Sequence, residues 1–129
     1  MINKLPNQKL YAEECLITSI LVNNELWYDL DDLQPEHFYT TSHQLIYGAI
    51  KSLIKSKVPA DIITVKDYLE KHGQLEQVGF QKLIFMTDSS PIIRNAKHYG
   101  NIIRKSFSVR NGTNELLRLV DMEIGRAHV

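Results

Sequence analysis

The stretch that most constrains this chain runs from Phe38 to Leu69, FYTTSHQLIYGAIKSLIKSKVPADIITVKDYL, and reads as two capped helices joined by a short extended link. Thr41 followed by Gln44 is a capping box, placed just ahead of the apolar positions Leu45, Ile46, Ala49, Ile50, Leu53 and Ile54. Those positions fill about half a helical wheel and so require a core on one side. Lys55 and Lys57 suit the negative end of that helix, and Pro59 stops it while holding Val58 extended. Asp61 and Thr64 then cap a second helix, Thr64 pairing with Asp67 as a near capping box, and His72 with Gly73 closes it.

Helices are predicted over 7–23, 25–33, 42–56, 65–72, 79–88 and 92–121, with no strand. The fold expected is all-α: a compact head of about five short helices over 1–91, then one long helix, an arm, over 92–123. The first helix is capped by Asn7 and apolar on most sides, which makes it the central helix of the head. Trp27, Tyr28, Leu30 and Leu33 pair with Phe38 and Tyr39 as packing over its ends. The last helix has Ser90 as cap and Pro91 at its first position. At about 1.5 Å per residue it spans some 40 Å, too long for a head of this size to cover. Its apolar positions Tyr99, Ile103, Phe107, Leu116 and Leu117 are therefore the candidate subunit interface. Asn111-Gly112 followed by Thr113 reads as a break and a new cap within it. The final residues, Ile124 to Val129, match an in-frame translation of a common sequencing adapter and are set aside as non-native.

The 129 residues carry no net charge, but the balance is uneven. Residues 1–91 hold 8 Lys/Arg against 12 Asp/Glu, whereas residues 92–129 hold 7 against 3. An acidic head and a basic tail suit contact with DNA phosphates or with the head of a neighbouring copy. One cysteine, Cys15, rules out an internal disulfide and fits a reducing compartment. With no secretory leader pattern and no apolar run of about 18 residues, a cytoplasmic protein without membrane contact is expected.

The same stretch, taken with its flanks, resembles the N-terminal domain of the DnaB-type bacterial replicative DNA helicases. The resemblance rests on Glu36, Phe38-Tyr39, His43, Ile46-Tyr47, the link Pro59-Ala60-Asp61-Ile62-Ile63-Thr64-Val65 and Gly73-Gln74-Leu75. It extends upstream to Leu10-Tyr11-Ala12-Glu13 and downstream to Val78-Gly79-Phe80, Pro91, Asn95-Ala96 and Tyr99 through Ile103, roughly residues 5 to 120. Tyr11 and Thr18 depart from the usual Glu and Gly, and one Gly is missing beside Gly79. The resemblance implies a parent that is a hexameric, ATP- and Mg-dependent, 5′-to-3′ DNA-unwinding motor. It implies that this domain assembles the ring through dimerising helical hairpins, of which 92–123 is the first arm, and docks the primase, a helicase loader being a further possible partner.

Chemistry is sparse. No Gly-x-x-x-x-Gly-Lys-Ser/Thr loop is present, so no nucleotide cofactor is expected on this chain, with ATP and Mg assigned to a motor domain beyond it. His37, His43, His72, His98 and His128 show no metal-ligand spacing. Glu13 falls among Leu16, Ile17 and Ile20, where a carboxylate either bridges to a basic residue or to amides of a neighbouring helix, or acts as a general acid. His43, in a first turn near the Asp61 link, is read as making a structural hydrogen bond. Two other classes stay open: a free-standing DNA-binding module using Arg94, Lys97, Arg104, Lys105, Arg110 and Arg118, and a small hydrolase built on Glu13 and His43. The hydrolase needs those two side chains within hydrogen-bond reach.

Overall fold

The computed structural model describes residues 7–30 and 32–127, with side chains from Gln8 to Gly112. Its elements are α1 (Asn7–Val22), a 3-10 turn at Asn24–Asp29, a second at Pro35–His37, α2 (Thr41–Lys55), α3 (Ile62–Lys71), α4 (Leu75–Val78), α5 (Phe80–Ser89) and α6 (Ala96–Ala127). The chain is all-helical across the described residues. Helix α1 lies at the centre, against α2, α5, α6 and the first 3-10 turn. It buries Ala12, Cys15, Leu16, Ile17 and Ile20, and each large aliphatic side chain removed from water contributes about 1.5–3 kcal/mol.

Helix α2 turns Ile46, Tyr47, Ala49, Ile50 and Ile54 inward. It does not begin with the predicted box. Thr40, in extended backbone, is the N-cap and Thr41 is already helical, so Gln44 lies one position too late to reach back. Instead the Gln44 amide donates to the Phe38 carbonyl at 2.8 Å. Lys57 ends the helix in the left-handed region at φ 62°. There Val58 N–H bonds Leu53 O and Lys57 N–H bonds Ile54 O, both at 2.9 Å, which closes a Schellman motif. Gly73, at φ 68°, closes α3 in the same way, with Gln74 N–H on Leu69 O at 2.8 Å.

The link between α2 and α3 is tied down at both ends. Asn24 accepts from Ala60 N–H at 2.8 Å and donates to Ala60 O at 2.8 Å and Ile20 O at 2.7 Å, joining the link to the end of α1. Asp61 is the cap of α3, accepting from Ile63 and Thr64 amides at 2.9 Å, while the Thr64 hydroxyl accepts from Asp61 N–H at 2.9 Å. The reciprocal box therefore pairs Asp61 with Thr64, not Thr64 with Asp67, and α3 starts three residues earlier than the periodicity suggested. The Thr64 hydroxyl also donates to Pro59 O at 2.8 Å. Thr64→Ala should lower stability by about 1 kcal/mol, read as a shift in the urea midpoint. An unchanged midpoint would mean that Asp61 alone holds the cap.

Other elements differ from expectation. The 25–33 helix is a 3-10 turn opened by Asn23, whose side chain accepts from Glu25 N–H at 3.1 Å, and Leu30 and Leu33 beyond it are buried. The 79–88 helix is preceded by the separate turn α4, and Gly79 at φ 82° turns the chain between them. Helix α6 starts at Ala96, not at Pro91. The Ile93 amide bonds the Ser19 hydroxyl at 2.7 Å, and Asn95 accepts from His98 N–H at 3.2 Å as the local cap. From there α6 runs as one helix through Asn111-Gly112, without the predicted break. Its first turns belong to the head: Ala96 and Ile103 are core residues. Gly100 permits the close approach, since a Cβ there would stand 2.6 Å from Leu30 Cδ2.

Candidate functional site

The buried acid that the sequence singled out sits where three segments meet. Glu13, 2% exposed, accepts the Tyr39 amide on Oε2 at 2.8 Å and the His43 ring on Oε1 at 2.7 Å. Because a carboxylate only accepts, Nδ1 of His43 carries the proton toward it. His43 belongs to the first turn of α2, where Glu13 reaches across from α1 and does from outside what a local capping box would do. The His43 ring thus bonds Glu13 and not the Asp61 link. The two residues meet the distance that a hydrolase would need, yet both carboxylate oxygens hold architecture. No hydroxyl bonds the other ring nitrogen among the described residues, so no nucleophile is aligned. Nor does any group of three His, Cys, Asp or Glu side chains gather there.

Beyond the His43 ring lies an open groove of about 600 Å³, floored and walled by Leu10, Ile46, Val78, Phe85 and Met86. Glu14 and Lys82 stand on its rim. Phe85 is 73% exposed, a large apolar side chain left in water beside other apolar surface. Sequence reading missed this groove. Its walls come from α1, α2, α4 and α5, and only tertiary packing brings them together.

The second surface is the root of α6. Phe107 packs on His37 at 4.8 Å between ring centroids, and the Arg110 guanidinium lies over Tyr39 and Phe107 at 5.1 and 5.9 Å. Arg110 also donates to His37 O at 3.3 Å. Arg104 pairs with Asp32 at 3.7 Å. Two of the arm's basic residues are thus turned onto the head, while Arg94, Lys97 and Lys105 face solvent. His37 Nδ1 accepts from Gln34 N–H at 2.9 Å. Burial lowers the His37 pKa, the Arg104 charge adds to this and Glu36 opposes it. A depressed histidine binds fewer protons folded than unfolded, so its contribution is complete above the unfolded value near 6.5 and fades as pH falls through the folded one. The thermal midpoint of the native chain should therefore drop more between pH 7.5 and 5.5 than that of His37→Phe. Parallel pH profiles would show that His37 does not carry the dependence.

The candidate interface residues divide. Ile103 is 2% exposed inside the head and is not available to a partner, a correction to the reading of the arm as one uncovered stripe. Tyr99 is partly buried against the same core, and Phe107 serves the contact with His37. The Leu116, Leu117 and Arg118 side chains lie outside the described residues. Sequence periodicity located the stripe but not the point at which the head stops covering it. Val109, 66% exposed, faces away from the head, although the next residue, Arg110, still bonds His37 O.

Comparison with known proteins converges on one family. Residues 5–105 match the family described as the DnaB-like helicase N terminal domain. The replicative DNA helicase DnaB of Buchnera aphidicola subsp. Baizongia pistaciae is 34% identical over 109 residues, 83% of this chain and 23% of that protein. That of Leifsonia xyli is 29% identical over 121 residues, 92% of this chain and 26% of that protein. The chain thus spans about a quarter of the length of these relatives. The crystal structure of the DnaB N-terminal domain from Mycobacterium tuberculosis superposes with a TM-score of 0.83 at 29% identity, covering 93% of this chain and 87% of that one. A Helicobacter pylori DnaB N-terminal domain, described together with its interactions with primase, matches in fold with a TM-score of 0.72 at 21% identity over 95% of this chain and 94% of that one.

Proposed function

Because the chain belongs to the DnaB-like helicase N-terminal domain family, we propose that it is the assembly and docking module of a hexameric replicative DNA helicase working in the cytoplasm at the replication fork. The observation that carries this reading is the length of α6: its first turns, through Arg110, are built into the head, and the same helix runs on to Ala127. Such a helix fixes the direction of an arm relative to the head, as a scaffold subunit requires. In this reading the arms pair side by side between copies, Leu116 and Leu117 lie in the contact, and the acidic head meets basic arms or a basic partner. Primase is the partner proposed for the head, by analogy with the relative for which that interaction is described. ATP and Mg would be handled by parts of such a helicase that this chain does not span, and the solvent-facing basic residues of α6, Lys97 and Lys105, serve subunit contacts.

Sedimentation across a wide concentration range tests the assembly. The native chain should associate reversibly and with concentration, and Leu116→Asp with Leu117→Asp should return it to monomer without lowering the thermal midpoint of the head. A strict monomer at several hundred micromolar would overturn self-assembly through the arm. Calorimetric titration with the C-terminal domain of a bacterial primase tests docking, and absence of binding would remove primase from the proposal.

A further inference from the structure

We propose that the groove between α1, α2 and α5 is a docking site for an amphipathic helix of a partner protein, and that His43 reads one hydrogen-bond donor on that helix. This deepens the reading of the head as a docking module, and its test uses neither assembly nor primase. His43 is 93% shielded, lines the groove, and has one ring nitrogen committed to Glu13. With Nδ1–H donating to the carboxylate, Nε2 is the ring nitrogen left to present a lone pair when the ring is uncharged, and no described residue donates to it. Carboxylate-fixed imidazole of this kind is oriented, so the acceptor costs a partner little to engage.

The walls define the rest of the occupant. Leu10, Val78, Phe85 and Met86 offer an apolar trough, and methionine adapts to the shape of what enters. A tyrosine combines an apolar body with a donating tip, so it can fill the trough and place its hydroxyl on Nε2. On the rim, neither Glu14 nor Lys82 makes an ion pair among the described residues, so a lysine on one flank of the incoming helix and a glutamate on the other would complement them. Apolar anchors spaced i, i+4 and i+7 satisfy a trough of this kind.

The probe is a designed 16-residue helical peptide with leucines at the first and third anchors, tyrosine at the second, and one lysine and one glutamate on opposite flanks. Its twin replaces tyrosine by phenylalanine. Titrated into the isotopically labelled chain, the tyrosine peptide should bind, shift the His43 Nε2 resonance and perturb Phe85 and Met86. The phenylalanine twin should bind about tenfold more weakly and leave Nε2 unmoved. Phe85→Ser, a change at an exposed position, should keep the thermal midpoint and abolish binding of both. Equal binding of the two peptides would overturn the role of His43, and no binding at the solubility limit would overturn the site. Concentration-dependent shifts at Phe85 without peptide would assign the groove to a second copy and refute the partner-helix proposal.

Discussion

Glu13→Ala should cost several kcal/mol, about 1–3 kcal/mol for each of the two buried donors it leaves without an acceptor. The substitution leaves the Tyr39 amide and the His43 Nδ1–H without acceptors, in a place where water reaches neither easily. Against a total stability of roughly 5–15 kcal/mol for a domain of this size, that loss brings the head close to unfolding. The desolvation of the orphaned donors accounts for most of it, so the decisive comparison is with the double change Glu13→Leu and His43→Leu. The double variant removes donor and acceptor together and should be less destabilised than Glu13→Ala alone, although it alters two residues. Urea midpoints measure both. A Glu13→Ala midpoint close to that of the native chain would show that the carboxylate does not hold α1 to the start of α2.

Physical locality explains which features the sequence revealed. The α2–α3 unit was legible because its signals act over three or four residues: Pro59 stops, Asp61 and Thr64 start, Gly73 closes. Even there the Thr41–Gln44 box was misplaced by one position. What organises that helix start is Glu13, 26 and 30 positions away from the two groups it holds. The sequence disclosed that Glu13 was a buried acid needing amides or a basic partner, but not which. Likewise, no local signal marks Asn24 as a tie, although its side chain joins α1 to the Ala60 link through three hydrogen bonds. The start of α6 was misread because Ser90-Pro91 satisfies every local rule for a helix entry, whereas the Ser19 hydroxyl takes the Ile93 amide and delays the helix to Ala96.

The groove had no local signature at all. Leu10, Ile46, Val78 and Met86 each belong to the apolar stripe of its own helix, and an amphipathic pattern looks the same whether the stripe is fully covered or left partly open. Phe85 carries the only hint, a large aromatic just off the buried positions Leu83 and Met86 of α5. Openness follows from how α5 is set relative to α1, and that setting depends on the one-residue turn at Gly79 and on the Ile93–Ser19 bond that redirects the chain after α5.

Ile103→Asp should unfold the head outright, and it separates the two roles that periodicity alone could not separate along α6. Ile103 belongs to the same core cluster as Leu16 and Leu30. Truncating such a residue already costs about 2–5 kcal/mol, and a carboxylate placed there must in addition lose its water or drag water into the core. Together these are comparable with the whole stability of a domain of this size, roughly 5–15 kcal/mol. Val109→Asp, on the same helix but 66% exposed, should change the thermal midpoint by no more than about 0.5 kcal/mol equivalent. Circular dichroism melts of the two variants, run beside sedimentation, decide the matter. Should Ile103→Asp remain folded and lose only self-association, then Ile103 faces a partner in solution, and α6 does not sit on α1 as the packing here places it.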